Sequence, residues 1–496
     1  MMRSLAMKTQ TVDLDYVFDP RSVAFVGATE GIAKWGFIIF NNLLFGGYEG
    51  RLYPVNPGRE TVLGMKCYPS VLAIPDDVDL VVFTVPARAV ISALDDCAAK
   101  GAKAALVISA GYKEMGEEGT LLEAEMVAKA DAAGMMLVGP NCEGVGCPAA
   151  SLFLWMPTHQ PKPGPISVVA QSGNILNMLI GHVLNCGFGL AKGVSSGNEA
   201  QLKTEDYLSY LAGDTGTEVI VSYIEGVEQG RRFLEQAREA TLRKPVVMLK
   251  GGRSSTGMRA AMSHTGAMAV AYDIFESACR QAGIVLARTI REAGIMASSF
   301  LNRPLPRGKR VGVVTGGGGL GVVAADACSE YGLELPSLSE QTLGKISSYQ
   351  PDYFVPGNPV DLVAGLNPTV IKPIIETLMR SGEVDAVMFI YIESTRKRSS
   401  DEQAAAGGQE SQRKGIDIGK FWGEAMRGIS MEIGRLNDLA MEVGVPLYIT
   451  ANIDSGRLGK DLGSRSAGLP MLYKEVESCC AAISAMAQYH EYRRHT

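Results

Sequence analysis

At 496 residues the chain has length for about three domains, and 46% hydrophobic with 20% charged side chains is the composition of a globular protein with real cores. A net charge of −6 and a pI near 5.6 leave no basic footprint for nucleic acid. The nine cysteines form neither a C-x-x-C pair nor a zinc spacing, so they read as reduced thiols with no metal site. No run of about 18 apolar residues occurs, and "MMRSLAMKTQ" lacks the apolar core of a signal peptide, so no membrane span and a cytoplasmic location are expected.

Three times a short β-branched apolar run leads into a small-residue turn and then a helical pattern. The first is "SVAFVGATEGIAKWG" (22–36), the second "ISVVAQSGNILNMLIGHVL" (166–184) and the third "RVGVVTGGGGLGVVAADAC" (310–328). Strand, tight turn and helix open a βαβ unit. Further apolar runs such as "VDLVVFTVPA", "VIVSYIEG", "PVVMLKGG" and "DAVMFIYIE" suit parallel strands buried on both faces. The expected fold is α/β, a Rossmann-like domain followed by two flavodoxin-like, doubly wound parallel sheets. Proline-rich stretches at 157–165 and 302–308 place the domains at 1–156, 157–305 and 306–496. The polar stretch 396–415 reads as a surface loop in the third.

The first turn tests a dinucleotide site. Gly27, Gly31 and Gly36 do not have the G-x-G-x-x-G spacing. The next strand ends at Asn56 and Pro57, where a nicotinamide cofactor would need an acidic residue for its ribose. Backbone N–H groups at a helix start still suit a phosphate. From the residues alone, phosphate binding and plain turn geometry both stay open.

In order along the chain stand "YPVNP" (53–57), "TVPA" (84–87), "SAGYKE" (109–114), "GPNCEGV" (139–145), "AQSGN" (170–174), "SSGNEA" (195–200), "YIEG" (223–226), "KGGRSSTG" (250–257) and "SHTGA" (263–267). With these motifs the sequence resembles the nucleoside-diphosphate-forming acyl-CoA synthetases, the superfamily of succinyl-CoA synthetase. The resemblance implies a CoA-binding domain, then a ligase domain with a phosphohistidine. The third segment is similar to the second ligase domain of that superfamily, through "TGGGGLGVVAADACSEYGLELP" and "GNPVDL". It implies CoA contacts at Gly27, Ala28, Thr29, Gly31, Trp35, Gly36, Asn56, Pro57, Val85, Pro86, Ser109, Ala110, Gly111 and Asn141.

The family reaction converts acyl-CoA, phosphate and ADP into acid, CoA and ATP, reversibly, through an acyl phosphate and a phosphohistidine. The resemblance makes His264 the phosphoryl carrier and Glu225 the carboxylate that orients its ring. Ser172, Gly173 and Gly266 then belong to the phosphate site. A neutral imidazole near pH 7 suits the attack, and glycines on either side of His264, Gly257 and Gly266, suggest a mobile loop. ATP or ADP with magnesium would sit on a separate ATP-grasp β subunit, for which the remaining sequence leaves no room. His159 and His182 read as structural, Cys142 as a small residue in a tight turn, and Asp361 as a turn former. Two other readings stay open, a CoA- or acyl-CoA-binding regulator without catalysis and a dehydrogenase. His264 and Glu225 argue against the first, and Asn56-Pro57 against the second.

Overall fold

The computed structural model describes residues 13–265, 271–301, 303–363, 368–391, 434–451 and 472–496. The chain forms two compact units, one reaching to Ser298 and the other spanning Ser299–His495.

The first unit holds two large sheets. In the first sheet, β1 (Ser22–Val26) pairs with β2 (Arg51–Val55) on one side. A small hairpin of β3 (Thr61–Val62) and β4 (Met65–Lys66) follows. β5 (Leu80–Phe83), β6 (Ala104–Val107) and β7 (Met136–Val138) complete the order β2-β1-β5-β6-β7, all parallel. Every residue of β1, β5 and β6 is buried, because helices cover one face and the second sheet's core covers the other. Alternation divides them: Ala24 and Val26 join a core with Val90 and Leu94 of helix Ala87–Lys100. Val23 and Phe25 face a core continuous with Val145, Val169 and Ile220.

The second sheet takes β8 (Gly144–Cys147), β9 (Leu152–Trp155), β10 (Pro163–Ala170), β11 (Leu190–Ser195), β12 (Val219–Ile224), β13 (Val246–Lys250) and β14 (Val285–Ala287). Their order is β14-β13-β12-β10-β11-β8-β9. β10 to β14 run parallel, and β8 and β9 form an antiparallel hairpin on the edge. The second sheet therefore takes strands from both sides of the proline-rich stretch 157–165. Asn42 of helix Trp35–Phe45 ties the arrangement, donating to the carbonyls of Trp155 at 2.9 Å and Pro157 at 2.8 Å.

In the second unit, β15 (Val311–Thr315), β16 (Val360–Asp361), β17 (Ala386–Tyr391), β18 (Leu447–Ala451) and β19 (Leu472–Tyr473) make a parallel sheet of order β16-β15-β17-β18-β19. Asp361 makes a turn, its Oδ1 accepting from Val363 N at 3.0 Å. The stretch 396–415 lies outside the described residues. The three sheets establish the expected fold, with an antiparallel edge hairpin added to the second.

The hairpin packs the fully buried Trp155 across Gly146, where a Cβ would lie 2.3 Å from the indole. Gly146→Ala is expected to destabilise the first unit by about 1–3 kcal/mol. The check is a lowered thermal midpoint with unchanged secondary structure by circular dichroism.

Candidate active site

The motif turns of the first sheet follow the ends of its strands, around the point where the strand order reverses between β1 and β5. Gly27 has φ +96, and a Cβ there would stand 2.6 Å from Thr84 Oγ1. Gly36 sits in the first turn of helix Trp35–Phe45, where a Cβ would stand 2.4 Å from the Gly27 carbonyl oxygen. The turn and the helix start therefore touch backbone to backbone, leaving helix N–H groups next to the crevice. Thr29 Oγ1 accepts from Gly31 N at 3.3 Å.

Asn56 replaces the acid of a dinucleotide site with a structural amide. Its Nδ2 donates to Ala28 O at 2.9 Å, and its Oδ1 accepts from Gly58 N at 3.0 Å. Ala28 is fully buried, whereas Trp35 is 52% exposed and Pro57 is exposed. Ser109 Oγ donates to the Val85 carbonyl just before Pro86, and Ser109 O accepts from Asn141 N at 2.9 Å. Gly111, next to the exposed Ala110, has φ +111, and its N–H donates to Glu114 Oε1 at 2.6 Å. Burial works against the charge of Glu114, but donors from Asn198, Gly111 and Tyr112 outweigh it and hold the carboxyl below its usual range.

The second sheet reverses order between β10 and β12, which pair through Ala170 and Tyr223. Ser172 caps helix Gly173–Asn185 without a side-chain hydrogen bond. Gly173 cannot carry a side chain, because a Cβ would lie 2.0 Å from Glu143 Cγ. Glu143 itself is half-buried, and burial raises its carboxyl pKa. Glu225 follows β12, is 7% exposed, and its Oε1 accepts from Tyr223 Oη at 3.1 Å. Gln171 Oε1 accepts from Glu225 N at 2.5 Å and Gly226 N at 3.2 Å. From β13, buried Lys250 donates its ammonium to the carbonyl oxygens of Glu225 at 2.6 Å and Gly251 at 2.5 Å. Burial lowers the pKa of that ammonium.

The backbone of Ser255–Thr265 is helical, so His264 is carried on a last helical turn and not on the expected loop. Ala, Met and Arg within "STGMRAAMSHT" favour the helix over the single Gly257. The side chain of His264, and Gly266 altogether, lie outside the described residues. Burial pushes His159 and His182 below the usual imidazole range, with the charge of Arg291 adding to the effect at His182. Cys142 is buried, and burial pushes its thiol up to about 12, so it offers no thiolate at neutral pH.

The sequence matches three family profiles: the CoA binding domain over residues 21–148, the succinyl-CoA ligase like flavodoxin domain over 163–300, and the ligase-CoA domain over 311–417. The α subunit of ADP-forming acetate–CoA ligase II from Pyrococcus furiosus is 38% identical over 395 residues, 79% of this chain and 86% of that protein. The chain belongs to the ADP-forming acyl-CoA synthetases, of the α-subunit type. The family is that of acid–thiol ligases within the succinyl-CoA ligase superfamily, whose reaction involves CoA and a nucleotide. Among solved structures, the dinucleotide forming acetyl-coenzyme A synthetase 1 of Ca. Korarchaeum cryptofilum, in complex with phosphate and ADP, is similar with a TM-score of 0.81. It is 30% identical and covers 97% of this chain and 98% of that one. ADP-forming 4-hydroxybutyrate–CoA ligase of Nitrosopumilus maritimus is 34% identical over 379 residues, 75% of this chain and 54% of that protein. No helix among the described residues is long and apolar enough to cross a membrane.

Four polar residues that hydrogen-bond to these motif loops escaped the sequence reading: Gln171, Asn198, Glu199 and Lys250. Each lies inside a quoted motif, and that position was the one signal available.

Two outcomes follow from the geometry. Gly36→Ala would force the helix start off the Gly27 carbonyl and is expected to weaken CoA binding about tenfold or more, read by titration calorimetry. The second concerns Glu205, which is 4% exposed in the first turn of helix Thr204–Gly213. Burial raises its carboxyl to about 7, with the charge of Glu199 adding and Arg232 opposing. The native state then holds a proton that the unfolded state releases at about pH 4.3, so stability falls as pH rises from there to about 7. Glu205→Gln is expected to flatten that fall and to be more stable than wild type at pH 8 by up to about 3 kcal/mol. Urea unfolding from pH 4 to 8 measures it.

Proposed function

We propose that this chain is the CoA-binding, phosphohistidine-bearing subunit of an ADP-forming acyl-CoA synthetase, acting with an ATP-grasp β subunit that holds the nucleotide and magnesium in the cytoplasm. The acid is a small carboxylic acid, acetate being the one named for relatives at 38% identity. Phosphate attacks the thioester carbonyl and CoA leaves as its thiol, giving an acyl phosphate. An imidazole nitrogen of His264 then attacks phosphorus and the carboxylate leaves. The phosphoryl group finally passes from His264 to ADP.

The observation that carries this reading is the pairing of β10 with β12. It sets the start of helix Gly173–Asn185 and the Glu225 carboxylate on either side of one strand-order reversal. Phosphate at Ser172–Gly173 gains roughly 0.3–1 kcal/mol from the helix dipole, enough to position it without trapping it. Glu225 orients the ring of His264, leaving the other nitrogen free to attack. The family's CoA contacts on the first sheet, from Gly27 to Asn141, take the CoA. A regulator that only bound CoA would have no use for His264 together with Glu225.

The isolated chain is expected to bind CoA yet form no ATP from acetyl-CoA, phosphate and ADP until the β subunit is added. His264→Ala should abolish an acid-labile, base-stable phosphate formed from acetyl phosphate while leaving CoA affinity unchanged. Glu225→Gln should slow its formation. Mass spectrometry that maps the phosphate to another residue would refute the assignment.

A further inference from the structure

Residues Ser196–Glu199 follow β11 and lie between the two groups of motif loops. Asn198 faces the first sheet. Its Nδ2 donates to Glu114 Oε2 at 2.7 Å and Glu123 Oε2 at 2.9 Å, and its Oδ1 accepts from Asn141 Nδ2 at 3.2 Å. Its backbone joins in, with N donating to Pro140 O at 2.9 Å and O accepting from Lys113 Nζ at 2.5 Å. Glu114 in turn accepts from the N–H groups of Gly111 and Tyr112, at 2.6 and 3.1 Å. The next residue faces the other way. Glu199 is 7% exposed and has φ +53, a left-handed conformation that a non-glycine residue rarely holds. Its Oε1 accepts from Ser196 Oγ at 2.7 Å and Thr204 Oγ1 at 2.6 Å, and its Oε2 accepts from Gln171 Nε2 at 3.0 Å. Gln171 Oε1 takes the N–H groups of Glu225 and Gly226.

We propose that Asn198 and Glu199 are a pair of positioning residues that set the two half-sites against each other: Asn198 holds the CoA-side turn 109–111 and Asn141, and Glu199, acting through Gln171, holds the backbone that carries Glu225. The inference rests on the functional reading above. The chemistry supplies the reason for such a device. Thioester carbon, phosphate and imidazole come from different loops, and a misplacement of about 1 Å can cost about a hundredfold in rate. Two adjacent residues on one short loop, each bonded to a different sheet's site, tie both sets of loops to a single reference. The buried Glu199 carboxylate, with three donors, spends its acceptor capacity on geometry and not on substrate.

The test uses the full-length chain with two separate readouts, CoA affinity by calorimetry and the rate of acid-labile phosphate formation from acetyl phosphate. Asn198→Ala is expected to raise the CoA Kd about tenfold and to leave the phosphorylation rate within about twofold. Glu199→Ala and Gln171→Met are expected to do the reverse, slowing phosphorylation about tenfold with the Kd within about twofold. Glu199→Gln keeps an oxygen for Gln171, and the Ser196 and Thr204 hydroxyls can turn to accept, so it should recover most of the rate. If Glu199→Ala does not fold, Gln171→Met decides the question. Variants that match wild type, or that lose both readouts equally, overturn the inference. A wild-type chain that neither binds CoA nor takes phosphate overturns the functional reading instead.

Discussion

A carboxyl group taken out of water has to be hydrogen-bonded, and Glu199 meets that demand with partners in Ser196, Thr204 and Gln171. The cost of its burial is visible in the direction of its pKa, raised by desolvation against the pull of those donors. A polar group so buried is tolerated only while its partners stay in place, which ties the surrounding loops to it. The turn after β10, the loop after β11 and the end of β12 converge on this group, and through Asn198 the same loop reaches the turn after β6 and the cis-proline turn after β7.

The apolar core beneath this polar layer serves the same end. Val23 and Phe25 of the first sheet and Val169 and Ile220 of the second belong to one buried cluster, so the two sheets cannot slide without opening it. Asn42 adds a directional lock, with its amide on the carbonyls of Trp155, which ends the hairpin, and of Pro157 beyond it. Hydrophobic burial sets how strongly the sheets are held, and the hydrogen-bonded loops set where. A group-transfer enzyme needs both, because it gains from pre-set distances between groups drawn from separate loops.

The strands were legible because parallel strands covered on both faces are almost wholly apolar, as "VAFV", "LVVF" and "VVML" are. The turns were legible because a backbone that passes close to another has room for glycine and little else, as at Gly27 and Gly36. The hairpin Gly144–Trp155 was not legible as part of the second sheet. Its partner strand β11 lies about 45 residues on, beyond a proline-rich stretch that reads as a boundary, and the small residues that admit Trp155 look like turn glycines. Helical backbone at Ser255–Thr265 was obscured in the same way, by the glycines on either side of His264.

The sequence by itself determined the buried parallel strands and their glycine turns, which follow from local periodicity, and its ordered motifs carry the resemblance to the ADP-forming acyl-CoA synthetases. Only the tertiary structure decided which polar residues face one another. Asn198 and Glu114 are separated by 84 residues, and the motifs that hold them do not say that the two side chains meet. A hydrogen bond between half-buried side chains such as these depends on distances of tenths of an ångström, and such distances exist only once both sheets have packed.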